Sequence, residues 1–421
     1  MLDTIISVVG WDMAWVGLSV FPISLFVTFT SVYAVGQFFL VRYVKDRIQL
    51  LFKNRFIRIL HRSILISQFC LIIVLAIIIF QIVFYGVYSS ILLKAIIYSS
   101  FLISSCLFSV LGIRLLLWLR FYRNHVLALY GLTMIALAIT SINNIVYVSV
   151  QLTEQRGIEY IPPGMSGATY SGVYSVTDEI YIIVTSISFI LTWIATVFLL
   201  RHYSKKMGRF VYWLVVFAPL VGFLFPFQNY VHGLLRIFYD SPTELSIVSS
   251  IIETLIIPAG AVLFGIAFLS IGRQLSNLIL VKDYMFISGL GIMLFFIANN
   301  PTFLTLLTFP PFGLSTVCLV GISSYLLLVG IYTSSISVAG DAELLRAVRR
   351  SLPTESNLLE MIGSAQQMQD IENRTIKMTN ELSAKMMFGS GAQTSLDDED
   401  IKEYLAEIVD EIRREKESNI K

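Results

Sequence analysis

Glu253 has the strongest chemical claim in this chain. It lies about two turns inside an apolar run, five residues before Pro258. An ionisable side chain among apolar neighbours in a membrane is costly and marks a functional site by default. A proline nearby frees a backbone carbonyl and kinks the helix. Asn143 and Asn144 lie toward one end of another apolar run, Asp178 and Glu179 open the next, and His232 lies in a polar stretch. The topology derived below puts all six on one side. Convergent, they would line a polar, acidic pocket suited to a cation or an amine. The plainer reading is interhelical hydrogen bonding, with Glu253 close enough to an interface to reach water.

Other chemistry lacks its residues. The chain has no G-x-x-x-x-G-K-[ST] loop for phosphates and no H-E-x-x-H zinc motif. Gly164-Met165-Ser166-Gly167 lacks the spacing of a hydrolase elbow. His61, His125 and His202 fall at the ends of apolar runs, where an interfacial polar tip explains each. Cys70, Cys106 and Cys318 sit within apolar runs without ligand spacing and read as small core residues. No cofactor and no enzymatic activity are expected.

The composition names the solvent that these residues must be held in. Of 421 residues, 56% are hydrophobic and 14% charged, and the mean hydropathy is +0.77. A soluble domain carries about 25% charged residues. The chain is therefore read as an all-α polytopic membrane bundle rather than a soluble enzyme, a disordered chain or a nucleic-acid binder. Met1–Asp12 has no Lys or Arg ahead of an apolar stretch, unlike a cleaved signal peptide.

Nine segments have the apolar length that a spanning helix needs. They are Ala14–Leu40, Ser63–Gly86, Ala95–Leu119, Val126–Val150, Ile180–Leu200, Phe210–Phe227, Ser246–Ile271, Tyr284–Ala298 and Leu314–Val338. With the N-terminus outside, the inner loops before the tail hold fifteen Lys/Arg and the outer segments three. That asymmetry obeys the positive-inside rule and puts the tail in the cytoplasm beneath the cell membrane. Gln151–Glu179 reads as a cap over the outer face. Phe303–Phe309, between proline-bearing flanks, is too short to span and is either interfacial or re-entrant.

Two inner segments are patterned. Arg47, Arg55, Arg58 and Arg62 fall within about 80° on a helical wheel, with Asn54 and His61 extending their face. This predicts an amphipathic helix on the inner leaflet, its basic face toward anionic lipid. Setting topology alone would also explain these arginines. Residues 340–421, an acidic helical tail after the membrane domain 1–339, carry eleven Lys/Arg and seventeen Asp/Glu. Asp341–Leu352 is expected to continue the ninth helix, Glu355–Met387 to form a second helix, and Phe388–Thr394 a loop. Ser395 then caps a third, on which Ile401, Tyr404, Leu405, Ile408, Val409 and Ile412 make one apolar stripe. That stripe needs a surface: the second tail helix, its twin in a homodimer, or another protein.

The junction Gly330–Ala339, followed by Asp341–Ser351 with Arg346, Arg349 and Arg350, resembles a stretch of uncharacterised archaeal multi-pass membrane proteins. In layout the chain is similar to the membrane input regions of sensor proteins, with a polytopic domain, an exit helix and a cytoplasmic helical stalk. The resemblance implies a signalling role and no catalytic residue, because neither a catalytic domain nor a phospho-acceptor histidine follows. The sequence thus leads to a receptor-like or regulatory membrane protein. A secondary transporter of a small cation or amine, or a non-catalytic subunit of a membrane complex, stands behind it.

Overall fold

A computed structural model describes residues 20–48, 55–121, 124–154, 160–161, 176–200, 212–213, 216–217, 262–270, 272–273, 279–299, 309–341, 344–346 and 358–390. Eight long helices organise them: α1 Val20–Ile48, α2 Arg55–Tyr85, α3 Ser90–Leu119, α4 His125–Glu154, α5 Val176–Leu200, α6 Ile279–Ala298, α7 Leu314–Gly340 and α8 Leu358–Ser390. Two short strands, β1 Tyr88–Ser89 and β2 Tyr160–Ile161, pair antiparallel. Among the described residues seven helices, α1 to α7, are long and apolar enough to cross a membrane. They correspond to seven of the nine expected spans. Phe210–Phe227 and Ser246–Ile271 fall largely outside the described residues, although 262–270 are helical.

Local chemistry sets the helix ends. No Gly or Pro interrupts Arg55–Tyr85; α2 stops where Gly86 turns left-handed at φ 65° and its N–H reaches back 3.1 Å to the Ile82 carbonyl. The turn between α3 and α4 closes on Asn124, whose side-chain oxygen accepts from the Val126 N–H at 2.8 Å. α7 ends at Gly340, where Asp341 becomes extended at φ −128°. Its carboxylate and carbonyl then accept the N–H groups of Leu344 and Leu345. The expected continuation through Asp341 is therefore broken by a cap that starts a separate turn. α8, in contrast, runs through Ser390, past the predicted loop at Phe388.

The core is built around α7, which is buried along almost its whole length. Antiparallel α6 packs most closely on it, α3 lies on another side, and α1 and α2 touch it from a third. α4 pairs with α3, and α5 lies outside α4. Membrane helices gain little from burying apolar surface against one another, so close packing must supply the adhesion. The α6–α7 crossing meets that demand with glycines. A Cβ at Gly291 would stand 2.6 Å from the Leu327 backbone nitrogen and 2.8 Å from the Ser323 carbonyl oxygen. A Cβ at Gly330 would collide with the Ser288 hydroxyl and lie 2.6 Å from the Tyr284 carbonyl oxygen. Large apolar side chains such as Phe38, Ile66, Phe69, Phe80 and Ile182 point outward, as a lipid-facing surface requires.

One end of the bundle is basic. Arg42, Lys45, Arg47, Arg55, Arg58 and Arg62 lie at the α1 and α2 ends that meet there. Arg55–Arg62 are the first two turns of α2 itself. They are thus the end of a spanning helix, which differs from the separate surface helix expected across Arg47–Arg62. The opposite end carries the strand clip, which ties residues 160–161 of the predicted cap onto 88–89. Beneath the clip Tyr88 stacks on Phe309 at 6.0 Å, and burial pushes its phenol above the ordinary tyrosine range.

Candidate functional site

A polar seam follows α7 through the apolar bundle. Toward the clip end, the Tyr33 hydroxyl of α1 donates to Gln68 Oε1 of α2 at 2.9 Å and lies 3.5 Å from the Cys318 carbonyl oxygen of α7. The Gln68 amide fits beside Gly321, where a Cβ would come within 3.3 Å of its Nε2. Among the described residues, buried Gln68 Nε2 and Gln37 Oε1, one turn beyond Tyr33 on α1, make no hydrogen bond. Buried amide groups without partners are expensive, so the α1–α2–α7 junction offers one donor and one acceptor to a polar guest.

Deeper along the seam, three hydroxyls meet. Ser104 Oγ of α3 is 2.6 Å from Ser324 Oγ of α7 and 3.3 Å from Ser141 Oγ of α4. On the α2 side of α7, His61 Nδ1 and the Tyr325 hydroxyl share a hydrogen bond of 2.8 Å. Both side chains are buried. His61 and Gln68 stand two turns apart on the same buried face of α2, with Ile64 between them. At the basic end, the Arg114 guanidinium lies 5.2 Å from the Tyr332 ring centroid and 5.9 Å from that of Phe56. A cation over two ring faces is held electrostatically. Removing the seam's central hydroxyl should register: Tyr325→Phe is expected to lower stability by about 1–2 kcal/mol, the cost of a lost buried hydrogen bond. Thermal unfolding of the purified protein in detergent reads this, and an unchanged midpoint would show that the pair carries no weight.

α8 is set into the basic end. Leu358, Leu359, Met361, Ile362 and Ala365 are buried against α7, α3 and α4. A Cβ at Gly363 would collide with Val338 of α7. Gln369 Oε1 accepts from the Trp118 indole N–H of α3 at 3.1 Å. The second tail helix is thus built into the bundle at its start and more exposed further on.

The residues singled out from sequence are distributed as follows. Asn144 is buried in α4, and its Nδ2 donates to Asn299 Oδ1, just beyond α6, at 2.6 Å. Among the described residues Asn143 Nδ2 makes no hydrogen bond. Asp178 lies in the first turn of α5, and Glu179 beside it is exposed. The two helix ends are neighbours, since Tyr147 stacks on Tyr181 at 4.5 Å. Yet Asn144 turns inward and Glu179 outward, and no hydrogen bond joins them among the described residues. Glu253, His232 and the stripe Ile401, Tyr404, Leu405, Ile408, Val409 and Ile412 lie outside the described residues. Arg55, Arg58 and Arg62 are exposed, free to meet headgroups. Arg47 pairs with Asp283 of α6 at 2.9 Å and lies over the Tyr43 ring.

Two sequence readings change. His61 does not extend the arginine face but turns into the bundle toward Tyr325. Of the cysteines only Cys318 is a core residue; Cys70 and Cys106 are exposed on the lipid-facing side. The seam had one legible signal, Gln68, an amide midway along the most apolar span. No family model matches the chain, and no curated protein or solved structure matches it either.

Proposed function

We propose that this integral membrane protein is receptor-like or regulatory. In this reading a ligand at the clip end, or in the seam, shifts the helices around α7, and α8 carries that shift into the cytoplasm. The observation that supports it most is the burial of the first turns of α8 against α7, α3 and α4. A helix merely trailing from the last span would not be packed on three others. The basic end is the cytoplasmic one by the positive-inside rule, and the membrane is the cell membrane. α5 ends and α6 begins at that same end, which calls for an even number of crossings between them; the two that the sequence predicts there would make nine in all. A ligand can shift such a bundle only by binding two arrangements unequally.

Transmission can be tested before any ligand is known. Asn144→Leu removes the Asn144–Asn299 bond at the far end of the bundle. Hydrogen exchange in nanodiscs should then change several-fold at amides 358–369 of α8, as well as locally in α4. Exchange altered at the mutated end alone, with α8 untouched, would remove the receptor-like reading and leave α8 a structural anchor.

A further inference from the structure

Beyond the bundle, α8 has a second apolar face. Its docked side is centred on Leu358, Ile362, Ala365 and Gln369. Ile371, Thr375, Met378 and Leu382 lie about 140° around the helix from it. Ile371, Met378 and Leu382 are 47%, 63% and 56% exposed. Lipid does not cover them, because Asp370, Glu372, Arg374, Lys377, Glu381 and Lys385 share these turns, and so many charges exclude hydrocarbon. The stripe therefore stands in water with the 3-4 spacing of a coiled-coil seam.

We propose that this stripe is one arm of an antiparallel helical hairpin, and that the occupant is the chain's own segment Ile401–Ile412. The register carries the proposal. The segment's apolar residues Ile401, Leu405, Ile408 and Ile412 follow the spacing of Leu382, Met378, Thr375 and Ile371 read backwards. All four layers form together: 382 with 401, 378 with 405, 375 with 408, 371 with 412. In that register Arg374 and Glu411 flank the seam on the same side with opposite charge. The connection reaches. From Leu382, α8 runs about 12 Å further to Ser390, and in the helix that the sequence predicts from Ser395 Ile401 would lie about 8 Å in. Residues 391–395 can span about 17 Å, enough for the small axial offset and a 10 Å step between helix axes. The tether also gives the segment an effective concentration near millimolar. A second copy packed in parallel would instead set Thr375 against Thr375 and leave Arg374 without an acidic partner.

The hairpin stands whatever the bundle senses, and it hides the very stripe that a cytoplasmic partner would use. The test uses the full chain in nanodiscs, with Cys70, Cys106 and Cys318 replaced by alanine. Met378→Cys with Leu405→Cys should oxidise to an intrachain disulfide at least tenfold faster than Asn380→Cys with Leu405→Cys, which sits on the wrong face. Equal rates, or disulfide dimers from Met378→Cys alone, would overturn the proposal, the latter in favour of a second copy. A second measurement stands apart from disulfide geometry. Maleimide labelling of Met378→Cys should speed up at least tenfold when the chain is cut after Ser390. Unchanged labelling, fast or slow, would overturn it as well.

Discussion

Gly291→Val is expected to separate α6 from α7 and to abolish most of the folded protein. The Cβ alone would stand 2.6 Å from the Leu327 nitrogen and 2.8 Å from the Ser323 carbonyl oxygen. Both are backbone atoms of a helix buried on all sides, so no side chain can turn away. Relief requires the helix axes to move apart, which also loosens Ser288 against Gly330 on the same crossing. Overpacking usually costs about 1–3 kcal/mol; with only backbone to yield, about 3 kcal/mol or more is expected here. Folded proteins hold about 5–15 kcal/mol in total. The monodisperse fraction in detergent should fall sharply and its unfolding midpoint should drop. Gly36→Ala is the matched control. A Cβ there meets nothing within 4 Å, and alanine is the better helix former, so stability should hold or rise slightly.

Gly363→Ile is expected to release α8 while leaving the bundle folded. The added side chain enters the space of Val338, whose branched side chain has little freedom to turn aside. The clash falls at the edge of the fold, where undocking α8 relieves it. Losing this contact, and with it the Trp118–Gln369 bond, should cost about 2 kcal/mol of local stability. Amides 358–369 would then exchange about thirtyfold faster, while those of α3, α6 and α7 keep their protection. Gly363→Ala should show a milder form of the same effect. Combining it with Val338→Ala should restore protection, because the two substitutions share one space. Independent, additive effects would argue against the close crossing.

Much of the membrane domain was legible because hydrocarbon leaves few options. Length and apolar content located α1 to α7, and loop charge gave their alternation. The ends of helices were less legible, since they depend on single caps. Asp341 closing a new turn, or α2 extending outward to Arg55, changes no hydropathy average. The seam was least legible. Serine, threonine and tyrosine are tolerated in any spanning helix, so nothing in the local sequence shows that Ser104, Ser141 and Ser324 converge from three helices. His61 illustrates the limit. Its place among arginines read as a surface tip, and only the packing of α2 on α7 turns it toward Tyr325. The burial of α8 was hidden for a related reason, because a helix can carry two apolar faces and periodicity reports them as one imperfect stripe.

The docking of α8 on the bundle is the claim on which transmission depends, and a disulfide tests it most directly. A Cβ at Gly363 would lie 2.9 Å from the Val338 Cβ of α7, so Val338→Cys with Gly363→Cys, in the chain with Cys70, Cys106 and Cys318 replaced, sets two thiols within bonding reach after a small adjustment. In oxidising membranes the pair should cross-link within each chain to near completion, and Val338→Cys with Lys385→Cys should not. A Val338–Gly363 pair that stays reduced while the bundle remains folded would mean that α8 does not rest on α7, and would contradict the docking on which transmission depends.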